Sequence, residues 1–136
     1  MTIISFLKLV SVTFFVFILW IIYLANTGQS SVFFKFVASI PYGDKVGHFC
    51  IFGSLTLAAN FLLKCKSLTF TFASKKELKL YVGSILVFIF ALTEELSQFF
   101  LANRTLDMFD LLADIIGIVI FSFFTACLYK YSKIKR

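Results

Sequence analysis

From Leu9 to Phe34 the chain carries no charged residue, and within that run Leu9 to Ala25 (LVSVTFFVFILWIIYLA) is apolar enough to cross a hydrocarbon core of about 30 Å as a helix. A cleaved signal peptide would share the preceding Lys8. The run is longer than a typical signal core, however, and it ends in Trp20 and Tyr23, residues suited to a membrane interface. Three more apolar stretches follow, near 45–63, 80–100 and 108–130, each about the roughly 20 residues a crossing helix needs. With a first helix over about 6–25, the pattern predicts an all-α integral membrane protein, a four-transmembrane-helix bundle forming a single domain over 1–136. Between the first two spans, Val32, Phe33, Phe36, Val37 and Ile40 recur along one helical face of SSVFFKFVASIP, which predicts a short interfacial helix in the first outer loop, stopped by Pro41.

Composition agrees with lipid as the solvent. Hydrophobic residues make up 60% of the chain and aromatic residues 19%, and the mean hydropathy of +0.97 lies outside the range of soluble globular domains. In a soluble protein the formal net charge of +6 would point to nucleic acid. Here the basic residues stand at the ends of apolar runs, so membrane lipids are the expected partners and nucleic acid is not. Lys8, Lys64, Lys66, Lys75, Lys76, Lys79, Lys130, Lys133, Lys135 and Arg136 fall on one side of the predicted spans, against Lys35, Lys45 and Arg104 on the other. The positive-inside rule then puts both termini and the 64–79 loop in the cytoplasm, as in a multi-pass protein of the bacterial inner (cytoplasmic) membrane. Cys50, Cys65 and Cys127 form no CxxC or Cys/His metal spacing, and no disulfide is expected.

The acids sort by topology as well. Only Glu77 falls on the cytoplasmic side; Asp44, Glu94, Glu95, Asp107, Asp110 and Asp114 map to the outer ends of the later three spans. Helical spacing puts Glu94 and Gln98 (i,i+4), Glu95 and Gln98 (i,i+3), Asp44 and His48 (i,i+4), and Asp107, Asp110, Asp114 and Gly117 on shared stripes. In the hairpin of the last two spans, Gln98 and Asp110 should share a depth, with Glu94 and Asp114 on a deeper rung. Three helices thereby aim polar groups at one outward-opening pocket. Glu94 and Glu95 lie about 100° apart on a helix, so one of them should line the pocket while its neighbour faces headgroups or water, and Glu95 is the better pocket residue. Asp44 reads as an N-cap of the second span or a ligand contact, and Asp107 as a helix-dipole partner. Six acids against Lys45, Arg104 and His48 leave surplus negative charge, which requires protonated carboxyls, water or a cation in the site. Ala113 and Gly117 form a small-xxx-small pair, and with Gly53 they predict close packing of the last helix on a neighbour.

These stretches, DKVGHF at 44–49, EELSQFF at 94–100, Arg104, and DLLADIIG at 110–117, resemble the VanZ-like family of small bacterial membrane proteins. The matching positions are Asp44, Lys45, His48, Glu95, Gln98, Arg104, Asp110, Asp114 and Gly117. The chain departs from the family pattern at Asp114, where Asn is common, and at Ala102-Asn103, where Pro-Gly precedes the Arg. The name-giving member is associated with resistance to the glycopeptide teicoplanin. The resemblance implies a cell-envelope protein, and the charged residues imply binding of an anionic envelope-derived or lipid-linked ligand through Asp44, Lys45, His48, Glu94, Glu95, Gln98, Arg104, Asp110 and Asp114. One alternative is a membrane hydrolase or transferase with Glu95 as general base and His48 as acid, assisted by a divalent cation on Asp110 and Asp114; another is a proton-coupled carrier. Ser97, Thr105 and Cys50 lie near these residues, but none sits in a nucleophile motif such as GxSxG. Without HExxH or a Cys/His set, no cofactor and no resident metal site is expected. The oligomeric state stays open.

Overall fold

The computed structural model describes residues 3–29, 32–73, 76–101 and 105–134. The described elements follow in the order α1 (Ile3–Asn26), α2 (Val32–Ala38), α3 (Gly43–Leu62), β1 (Ser67–Thr71), β2 (Glu77–Tyr81), α4 (Val82–Gln98) and α5 (Met108–Ile134). The fold is mostly helical. Among the described residues, three helices are long and apolar enough to cross a membrane, over Leu9–Asn26, Gly43–Leu62 and Met108–Tyr131. Helix α4 has 17 residues, about 25 Å at 1.5 Å per residue, and its last turns carry Glu94, Glu95 and Gln98. It is thus shorter than the 80–100 span expected from the sequence.

Helix α3 is central, packing against α1, α4 and α5. Its inward face and those of its neighbours form a core of Ile18, Phe52, Leu55, Val87, Ala91 and Ile118. The outward faces are apolar too: Val16, Trp20, Leu86, Ile89, Val119 and Phe123 are all exposed. Apolar surface running along several helices is what lipid covers and water does not.

The most extensive helix contact, between α3 and α5, rests on missing side chains. A Cβ on Gly117 would come within 2.5 Å of the Phe49 carbonyl oxygen and 3.2 Å of the Gly53 nitrogen, so only glycine lets the two backbones approach this closely. Gly53 in turn receives the Phe121 ring. The small-residue face read from Ala113, Gly117 and Gly53 is therefore the α3–α5 seam. Away from the acidic end, a neutral knot ties three helices together. The Asn60 amide donates to Ser84 Oγ at 3.0 Å and Thr125 Oγ1 at 3.2 Å, and Ser84 and Ser122 share a hydrogen bond of 2.7 Å.

Two local features depart from the expected pattern. The segment read as a lysine-bearing loop over 64–79 contains an antiparallel hairpin, with Leu68 opposite Leu80 and Phe70 opposite Leu78. These two pairs share one face of the ribbon, and all four side chains are exposed. Lys64 and Cys65, both in left-handed backbone (φ 54 and 55), turn the chain from α3 into β1. The short helix after α1 is present as α2; it ends at Ala38, and the chain turns through Pro41 and the left-handed Tyr42 (φ 56) into α3.

Candidate functional site

The start of α3, the end of α4 and the start of α5 meet at one end of the bundle, and their caps place the acids. Asp107 immediately precedes α5, and its Oδ1 accepts the Phe109 N–H at 2.8 Å, as an N-cap does. It was read as a dipole partner; it is a cap and, through its other oxygen, a member of the charged cluster. Asp44 is not the cap of α3. Tyr42 holds that position without a side-chain cap, and Asp44 stands in the first turn, exposed, beside Lys45.

Lys45 organises the outer part of this end. Its Nζ donates to Asp107 Oδ2 at 2.6 Å and to Asp44 Oδ2 at 2.8 Å, and it lies 2.7 Å from Asp110 Oδ1 in an ion pair without hydrogen-bond geometry. Three carboxylates from two helices surround one ammonium. The Lys45 ammonium, followed by the Phe109 N–H, holds the Asp107 carboxyl below the ordinary carboxylate range.

A second cluster lies deeper. His48 Nδ1 is 3.0 Å from Asp114 Oδ1, and Nε2 is 3.8 Å from Asp110 Oδ2. Donor atoms of His48, Glu95 and Asp114 all lie within 4.8 Å of one another. Asp114 is fully buried and Glu95 is 2% exposed. Gln98 Nε2 donates to both Glu94 oxygens at 3.0 Å and reaches Glu95 Oε1 at 3.4 Å. Glu94 and Glu95 therefore both turn inward. The expectation that one would face headgroups or water is corrected: the 100° between them is spanned by Gln98, one turn on, whose amide reaches both. Glu95 Oε2, Gln98 Oε1 and Asp114 Oδ2 are buried without a hydrogen-bond partner among the described residues.

Beside these clusters opens a cavity of about 360 Å³. Its lining combines Asp44, His48, Glu94, Asp107 and Asp110 with apolar side chains from α1 (Ile21, Ile22, Ala25), α2 (Phe34, Val37) and α3 (Ile51, Phe52). Of the two glutamates it is Glu94 that lines the cavity, where the sequence favoured Glu95. The apolar lining from α1 is not legible in the sequence, because the helix carries no charged residue between Leu9 and Asn26 to flag a site. Asp44, Lys45, His48, Glu94, Glu95, Gln98, Asp110 and Asp114 are brought together at this end. Arg104 lies outside the described residues. Comparisons with family models, with curated proteins and with solved structures find no match.

Proposed function

We propose that this is a multi-pass protein of the bacterial cytoplasmic membrane that binds an amphipathic, envelope-derived or lipid-linked ligand in the cavity between α1, α2, α3 and the start of α5. The observation that carries this reading is the mixed lining of the cavity, in which aliphatic and aromatic side chains meet carboxylates and an imidazole. Ligand pockets combine a largely apolar lining with a few convergent polar groups in this way. The DKVGHF, EELSQFF and DLLADIIG stretches, which carry the likeness to VanZ-like proteins, supply polar lining and the cluster beside it, and a link to glycopeptide resistance belongs to the proposal through that likeness. In this reading α4 is a fourth crossing, the acidic end of the bundle faces outward, and both termini and the β hairpin are cytoplasmic.

The charge of the ligand follows from Lys45. An ammonium already surrounded by three carboxylates at 2.6–2.8 Å has little to offer an anion. The carboxylates on the cavity wall favour a head rich in hydrogen-bond donors, such as hydroxyl, amide or amine groups. An anionic group on the ligand depends on Arg104.

Mass spectrometry of lipids and wall precursors co-purifying with the full chain tests this. Ile22→Trp, which adds bulk to the apolar lining of the cavity, is expected to deplete the bound species at least about tenfold without changing the fold, and Glu94→Gln to weaken retention. Arg104→Ala reads the anionic contribution in the same assay. Identical lipid profiles for wild type and Ile22→Trp would remove the reading. The His48–Asp114 contact, with Glu95 in the same grouping, favours acid–base chemistry as a second reading; turnover of a bound wall precursor that stops in Glu95→Gln is its test.

A further inference from the structure

Two carboxylate-rich groupings stand side by side at the acidic end, and they differ in what neutralises them. The outer one, Asp44, Asp107 and Asp110, encloses the Lys45 ammonium. Among the described residues, the inner one, His48, Glu95 and Asp114, encloses no cation of its own beyond whatever proton His48 carries, and Glu94 adds a further acid beside it. Two acids of this inner grouping, each more than nine-tenths buried, keep an oxygen with no hydrogen-bond partner: Glu95 Oε2 and Asp114 Oδ2. Gln98, equally buried, contributes a third such oxygen, Oε1, next to them. Buried, uncommitted carboxylate oxygens converging on an imidazole are costly in an apolar surrounding unless something positive sits among them.

We infer that the inner grouping is a divalent metal site, with His48, Glu95 and Asp114 as its protein ligands. One imidazole and two carboxylates form a mixed nitrogen and oxygen donor set suited to Zn²⁺ or Mn²⁺, and no thiolate is present to select a softer ion. Ligand atoms about 2.1 Å from a tetrahedral ion are about 3.4 Å apart, so donors already within 4.8 Å of one another reach that spacing by small side-chain rotations. One neighbour orients a ligand as outer-shell partners of metal sites do: the Gln98 amide reaches Glu95 Oε1 and leaves Oε2 to the ion. His48 also lines the cavity, so the site lies next to it. A metal there supplies the positive charge that Lys45 cannot, and gives a ligand oxygen a place to bind. The inference stands independently of the amphipathic ligand proposed above.

The test uses the full chain in detergent or nanodiscs, stripped with a chelator and then titrated with Zn²⁺, Mn²⁺ and Mg²⁺, with metal content measured after dialysis and thermal stability followed in parallel. The expected result is one Zn²⁺ or Mn²⁺ per chain and a metal-dependent rise in Tm. Binding should be at least about tenfold weaker in Asp114→Asn, and retained in Asp107→Asn and in Ile22→Trp. Because Asp114→Asn risks misfolding, stoichiometric binding that persists in Asp107→Asn is what assigns the ion to the inner grouping, and its loss in Asp107→Asn would overturn that assignment. Absence of bound metal, with a Tm unmoved by metal or chelator, would overturn the site. Metal bound equally by Asp114→Asn would overturn the ligand assignment. Identical lipid profiles for wild type and Ile22→Trp, with metal binding intact, would instead count against the ligand reading alone.

Discussion

Lys45 shows how a single side chain sets the character of its surroundings. Its ammonium joins the first turn of α3 to the cap and first turn of α5, and it converts three acids from a repulsive group into a closed cluster. Lys45→Met keeps the stem and removes the charge. Asp44, Asp107 and Asp110 then face one another with oxygens inside the 4.8 Å that a cation can bridge. The expected outcome is a fall in Tm at neutral pH that millimolar Ca²⁺ partly reverses; a variant as stable as the wild type and indifferent to Ca²⁺ would show that the cluster contributes nothing. Asp107 gives the accompanying pH sense. Its folded pKa is depressed, so the stability it contributes is present above its ordinary carboxylate value and is lost only as the pH falls through the lower folded value. The wild type should therefore hold this cluster throughout neutral and mildly acid pH.

Among the elements, the long helices were legible because each depends on its own run of apolar residues. Expected spans near 6–25, 45–63 and 108–130 correspond to α1 over Ile3–Asn26, α3 over Gly43–Leu62 and α5 over Met108–Ile134, with differences confined to the ends. The hairpin was not legible in the same way. Its alternating Leu68, Phe70, Leu78 and Leu80 span two short strands, and the lysines around them carried the stronger signal, that of orientation. How tightly α3 and α5 pack is an element-scale property that glycine spacing announced and the backbone approach at Phe49 explains. Gly117→Val is expected to destabilise the protein by about 1–3 kcal/mol in a detergent unfolding titration, while Val119→Leu on the exposed face stays near neutral. Asn60→Ala, which opens the neutral knot, should cost roughly 1 kcal/mol. An unperturbed Gly117→Val protein would mean that the seam is looser than described.

On the scale of the whole molecule, the proposed orientation places Ser39, in the turn after α2, outside and Thr69, in β1, inside. An impermeant maleimide applied to intact cells should label Ser39→Cys directly and Thr69→Cys only after permeabilisation; the reverse pattern would invert the topology. Cys50 and Cys127 are exposed, so both are replaced by serine in the labelling background; Cys65 can stay, since it is buried and burial pushes its thiol pKa up and keeps it from the reactive thiolate form.

The sequence by itself determined that helices form, where they run, and that the acids gather at one end, because hydropathy, helical period and the distribution of lysine are properties of local segments. It did not determine which charges neutralise each other. Asp107 and Asp110 pair with a lysine about sixty positions away, Asp114 meets His48 across the α3–α5 seam, and Glu94 and Glu95 both turn inward around Gln98. Those outcomes depend on how closely the helices approach and how each is rotated about its axis. Only the packed structure sets both, since shape complementarity between whole helices acts over distances that no stretch of sequence records.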